Sequence, residues 1–146
     1  MNVPNSAFMK KVRQWISYGN ADLRMANLGF TLGETAPFHL IAYHAQQSVE
    51  KYLKAYLLFF GVEFPYTHNL LRLLDLCPEK DTWAGKMSSL QKLIPYAVST
   101  RYPGIDEEVT EKEAREAVEI AVNTTQIIRS ELLMKGIDFT EDIPKR

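Results

Sequence analysis

Cysteine is almost missing: Cys77 stands alone in 146 residues. No disulfide can form within the chain, and no set of thiolates exists for a structural zinc site. Net charge is almost missing too, with 17 Lys and Arg against 18 Asp and Glu. That balance speaks against a strongly basic nucleic-acid binder, whose affinity depends on many cationic contacts to phosphates, and leaves only a local basic patch open. No uninterrupted apolar run reaches membrane-spanning length. The opening MNVPNSAFMKKVRQW turns charged after a few residues and has neither a signal-like apolar core nor a small-residue cleavage site. A reducing cytoplasm is the expected setting. Also missing are strand alternation, internal repeats, low-complexity tracts, a glycine-rich phosphate loop, a nucleophile elbow and an HExxH pattern.

What is present is helical periodicity. Hydrophobic residues at 46% and charged residues at 24% suit one soluble domain. Phe8, Val12, Trp15, Ile16, Leu23, Ala26 and Phe30 keep helical spacing from Ser6 to Phe30, interrupted only by Gly19. After Gly29, Gly33 and Pro37, a second helix is expected to run to Gly61. Its apolar stripe comprises Phe38, Ile41, Ala42, Ala45, Val49, Tyr52, Leu53, Tyr56, Leu57 and Phe60. Thr67 is positioned to cap a short helix through LLRLLDL that Pro78 ends. A fourth helix is expected over Thr82–Arg101, with Trp83, Met87, Leu90, Leu93, Ile94 and Ala97 inward and a kink at Pro95. Thr110 and Glu113 form a capping-box pattern at the start of the last helix, which Gly136 closes. The pattern predicts an all-α, up-and-down antiparallel bundle of four to five helices over residues 1–135. The tail IDFTEDIPKR, within residues 136–146, is expected to be loosely attached.

Two polar clusters stand out against this frame. On the second helix His44, Gln47, Lys51 and Lys54 form one row, flanked by Leu40 and Leu58 on the side away from the apolar stripe. The row reads either as a solvated face or as a face covered by a partner or a second copy. The second cluster is Arg101 in STRYPG, where Pro103 and Gly104 force the helical chain to stop. Arg101 there either complements the last helical carbonyls or holds a phosphate through its guanidinium fork. His39 and His44 have the wrong spacing for two ligands on one helix face, so no metal site is expected. No cofactor and no self-contained catalytic set is read from these residues.

The segments AYHAQQSVEKYLKAYLLFFG, THNLLRLL with His68, and YAVSTRYPG, in this order and spacing, resemble the HEPN domain (higher eukaryotes and prokaryotes nucleotide-binding). The resemblance covers Ser6 to Met134. It implies a small helical subunit that often pairs with itself and is often partnered by a separate minimal nucleotidyltransferase chain, in some cases as a toxin–antitoxin couple. It also implies nucleotide or anion binding, for which His44, Gln47, Lys51, Lys54 and Arg101 are the candidates. Many members of the family are ribonucleases with an Arg followed four to six residues later by a His. Arg101 fits the first position, but Asp106, Glu107 and Glu108 stand where the His would be. The leading expectation is therefore a non-catalytic subunit. The rivals are a metal-independent ribonuclease using His44 or His68 as an atypical acid–base group, and a ligand-free dimeric scaffold.

Overall fold

The computed structural model describes residues 6–78 and 80–139. Five helices follow one another: α1 (Ser6–Gly29), α2 (Phe38–Phe59), α3 (Leu70–Leu76), α4 (Lys80–Trp83) and α5 (Glu111–Met134). A 3-10 segment, Phe30–Thr35, joins α1 to α2, and a second, Ala84–Tyr96, follows α4. No strand occurs among the described residues, and the expected all-α bundle is what the chain forms.

Helix α2 is the axis of the fold, with α1 and α5 as its main neighbours and α3 and the second 3-10 segment completing its surround. A helix covered on several sides must bury more than one stripe. Accordingly Gln46, Gln47, Ser48, Glu50 and Lys54 are buried alongside the apolar stripe from Ile41 to Leu57. Leu58, expected on an exposed side, is partly buried against the core, whereas Leu40 is exposed.

Helix α5 follows its sequence signals closely. Thr110 Oγ1 accepts from Glu113 N–H at 3.1 Å, and Glu113 Oε1 accepts from Thr110 N–H at 3.0 Å, so the capping box is complete. Ala114, Ala117, Val118, Ala121, Thr125, Ile128 and Leu132 are all buried, as their spacing requires.

Three local expectations are corrected. The cap of α3 is Asn69, whose side chain accepts from the N–H groups of Leu71 and Arg72. Thr67 instead accepts from Asn69 N–H, one step outside the helix. The expected long helix Thr82–Arg101 is instead the single turn α4 followed by a 3-10 run that stops at Tyr96, with a non-helical residue at Met87 (φ −114°, ψ 24°) and Pro95 inside. The tighter winding turns Ile94 outward while Leu90 and Leu93 stay buried. Arg101 therefore lies in the loop before α5 and not at a helix C-terminus.

The third correction concerns the tail. Its first residues are docked: Ile137 and Phe139 are buried, and the Arg129 guanidinium lies 4.2 Å from the centre of the Phe139 ring. The rest of the expected tail, residues 140–146, lies outside the described residues.

Candidate functional site

The polar row on α2 is neither a solvated face nor one continuous site, because α1 and the α2–α3 loop divide it into two ion clusters. Each cluster is built around a carboxylate that holds one imidazole and one ammonium.

The first centres on Asp22 of α1. One carboxylate oxygen lies 2.8 Å from His44 Nδ1 and the other accepts from Lys51 Nζ. Asp22 is 8% exposed, while His44 and Lys51 remain half-buried. A carboxylate only accepts, so Nδ1 of His44 carries the proton toward Asp22 and Nε2 is left free.

The second cluster centres on Glu50 of α2 itself, which is 3% exposed. Lys54 Nζ donates to Glu50 Oε2 at 3.1 Å, and His68 Nδ1 lies 2.8 Å from Glu50 Oε1. Gln46 Nε2 donates to the His68 carbonyl at 3.2 Å, and Gln47 Nε2 donates to Gln46 Oε1 at 2.8 Å. Lys54 is 5% exposed. Its ammonium lies 5.6 Å from the Trp15 ring centre and 5.9 Å from those of Phe64 and Tyr66, close enough for the ring quadrupoles to attract it. A buried ammonium needs such company, since an uncompensated charge removed from water is costly.

The five candidate side chains therefore separate. His44 and Lys51 share Asp22, whereas Gln47 and Lys54 belong to the Glu50 cluster. Arg101 belongs to neither. It faces Asp106 at 3.9 Å and lines a cavity of ≈ 530 Å³ with His39, Phe38, Glu34, Glu107 and Glu108. A second cavity of ≈ 390 Å³, lined mainly by Met25, Leu28, Leu32, Leu40 and Ile41 with His44 at its edge, shares only Pro37 with the first. No group of His, Cys, Asp and Glu able to hold a metal ion occurs among the described residues. No helix among them is long and apolar enough to cross a membrane.

Sequence reasoning does not single out Asp22 or Glu50. Glu50 has a signal, its i,i+4 spacing to Lys54, whereas Asp22 has none beyond being an acidic residue in the middle of an amphipathic helix.

The HEPN domain family model matches residues 12–131. The chain belongs to the HEPN family. Among solved structures it is similar to TT1696 from Thermus thermophilus, with 26% identity and a TM-score of 0.71 over 82% of this chain and 97% of that one. It also shares the fold of ST0689, an archaeal HEPN homologue, with 23% identity and a TM-score of 0.61 over 83% of this chain and 97% of that one. No curated protein matches. The HEPN assignment accounts for the helical bundle.

Proposed function

We propose that this HEPN chain is a non-catalytic subunit that pairs with a separate nucleotidyltransferase chain through the face formed by α1, the first 3-10 segment and α2. The observation that carries this reading is the apolar groove on that face. Met25, Leu28, Leu32 and Leu40 are exposed around it, and together they make a contiguous apolar surface beside His44. Asp22 already pairs with Lys51 and holds His44, so a partner meets an apolar patch with a neutralised polar edge. Such a patch suits protein better than a free anion, because a phosphate would have to compete with Asp22 for Lys51 and with Glu50 for the enclosed Lys54. Binding of nucleotide by His44 and Lys51 belongs to this reading only as a contribution at the rim of the paired face. A second copy of the chain is the other occupant the groove supports, since a patch without net charge meets itself without like-charge repulsion.

The test is capture of the tagged chain from its native cells with identification of what co-purifies, followed by reconstitution of the identified pair. A nucleotidyltransferase that binds wild type but not a Leu28→Glu/Leu40→Glu variant of unchanged helicity supports the reading. Failure to recover such a chain, or unaltered binding by the variant, removes it. A solution mass of twice 16.7 kDa that the same variant halves assigns the face to a homodimer instead.

A further inference from the structure

The cavity around Arg101 has the wrong lining for a phosphate. Glu34 enters it from the segment before α2, while Asp106, Glu107 and Glu108 enter from the loop before α5. Four acidic residues thus line one cavity with Arg101 and His39, and of the four only Asp106 is seen against the guanidinium, at 3.9 Å, while accepting from Tyr102 N–H at 2.7 Å. Glu34, Glu107 and Glu108 have no ion-pair partner among the described residues. An anion entering here meets net negative charge.

Carboxylates alone would be no more than a solvated acidic surface. What turns this surface into a groove is an apolar floor beneath it, made by Pro37, Phe38 and Val109, of which Phe38 and Val109 are packed against the core. Tyr102, 60% exposed, adds an open aromatic ring at the same cavity. The volume of ≈ 530 Å³ falls within the range of about 300–1,000 Å³ usual for ligand sites. A small metal ion does not fit the lining, because the acidic groups do not converge as a metal-holding set. The chemistry that does fit is an extended organic cation. An aliphatic stem lies on the apolar floor, and a charged head reaches carboxylates and an aromatic face.

We infer that the groove between residues 34–39 and 101–109 docks a basic, extended peptide segment of a partner protein, with a Lys or Arg side chain as its anchor. Charge complementarity with the unpaired carboxylates selects the cation. The apolar floor selects a peptide with large flanking side chains over a bare polycation. Arg101 then acts as a like-charged limit on the site, restricting how deeply a cation enters next to Asp106. This inference uses a different cavity from the paired face proposed above, and its failure leaves that proposal untouched.

The experiment is a titration of the isotope-labelled full chain, followed by backbone amide shifts, with four probes: the capped peptide Leu-Arg-Leu-Lys-Leu, the same peptide with Gly in place of each Leu, spermidine, and inorganic phosphate. The first peptide is expected to perturb residues 34–39 and 101–109 in a salt-sensitive manner. A Glu107→Gln/Glu108→Gln variant weakens that binding by about tenfold or more, one lost charge-assisted contact being enough for that factor. Arg101→Ala leaves it unchanged or tightens it. Equal binding of the Gly-substituted peptide or of spermidine overturns the peptide occupant and reduces the groove to an acidic surface. Shifts elsewhere, no shifts, or phosphate binding that depends on Arg101 overturns the inference altogether.

Discussion

Asp22 Oδ1 on α1 lies 2.8 Å from His44 Nδ1 on α2, and the same carboxylate meets Lys51 one helical stretch further along. One acidic side chain thereby pins two turns of the central helix to its neighbour. Replacing Asp22 by Ala leaves an imidazole and an ammonium facing a space that water reaches only partly. Loss of stability of about 1.5–3 kcal/mol is expected, the range for hydrogen bonds to charged groups. Urea unfolding of Asp22→Ala against wild type measures it. In a double-mutant cycle, Asp22→Ala combined with Lys51→Ala is expected to cost less than the sum of the two single changes. Strict additivity would show that the two groups do not interact.

The Glu50 cluster is more deeply enclosed and more sensitive. Lys54→Met keeps the aliphatic stem among Trp15, Phe64 and Tyr66 but leaves the Glu50 carboxylate with only its neutral or half-exposed partners. Breaking a buried pair in this way costs about 3–5 kcal/mol, whereas replacing both charges together is often near neutral. Lys54→Met is therefore expected to lower the denaturation midpoint strongly, and Glu50→Gln/Lys54→Met to recover most of the loss. A Lys54→Met chain as stable as wild type would mean that Lys54 is not a structural cation and would reopen it as a ligand group.

These two clusters mark the boundary of what periodicity reveals. The capping box of α5 and its buried side were legible because they depend on neighbours within one helix, and the same holds for the apolar stripe of α2. Burial of Lys54 and Gln47 was not legible. It follows from α2 being wrapped by several elements at once, and one helix's pattern does not say how many neighbours it will have. Thr82–Arg101 misled for another reason: its apolar residues fit both an α and a 3-10 period over a short span, and tertiary packing chose the tighter winding. For Arg101, sequence position suggested a helix end, but the acids that line its cavity come partly from a distant segment through Glu34.

Gly19 is a further residue whose role appears only in three dimensions. Within α1 it looks like a weak point, since Ala in its place ordinarily favours a helix by about 1 kcal/mol. A Cβ there would lie 2.7 Å from Tyr52 Cδ2 and 3.2 Å from the Ser48 carbonyl oxygen. The Tyr52 ring is buried and its hydroxyl is bonded to Asn20 and near Arg129, so it cannot retreat freely. Gly19→Ala is expected to destabilise by about 1–3 kcal/mol, the usual cost of overpacking. A raised midpoint in thermal unfolding would show that the α1–α2 approach has slack.

Lys92 Nζ in the second 3-10 segment donates to Glu116 Oε1 on α5 at 2.9 Å. This hydrogen bond, with the attraction between the charges, holds the Glu116 carboxyl below its ordinary value and raises the Lys92 ammonium above its own. The signs follow from linkage. The stabilisation from Glu116 is present above the ordinary carboxylate range and is lost as pH falls through its depressed folded value. That from Lys92 is present below the ordinary lysine value and is lost as pH rises through its raised one. The stability difference between wild type and Lys92→Met should therefore be a plateau across neutral pH that closes at both ends, and it should shrink in salt because the pair is exposed. A difference independent of pH would assign the effect to packing.

The purified chain is expected not to cleave RNA above background. Arg101 shares its cavity with an imidazole, His39, so the two side-chain types that metal-independent phosphodiester cleavage uses are present in one cavity. Four carboxylates share it with them, and they repel an approaching RNA backbone, whose binding depends on neutralising phosphates. Asp106 also places a carboxylate 3.9 Å from the guanidinium that would have to stabilise the phosphorane-like charge. A fluorogenic RNA incubated with the chain, with Arg101→Ala and with His39→Ala provides the check. Cleavage by wild type that disappears in both variants would make this cavity a nuclease site and override the acidic lining. Cleavage that persists in both variants and also in His44→Ala and His68→Ala would point to a contaminant. Cleavage lost only in His68→Ala or His44→Ala would instead assign activity to one of the carboxylate-held imidazoles, whose Nδ1 atoms are already fixed by Glu50 and Asp22 and whose Nε2 atoms are the ones left to exchange protons.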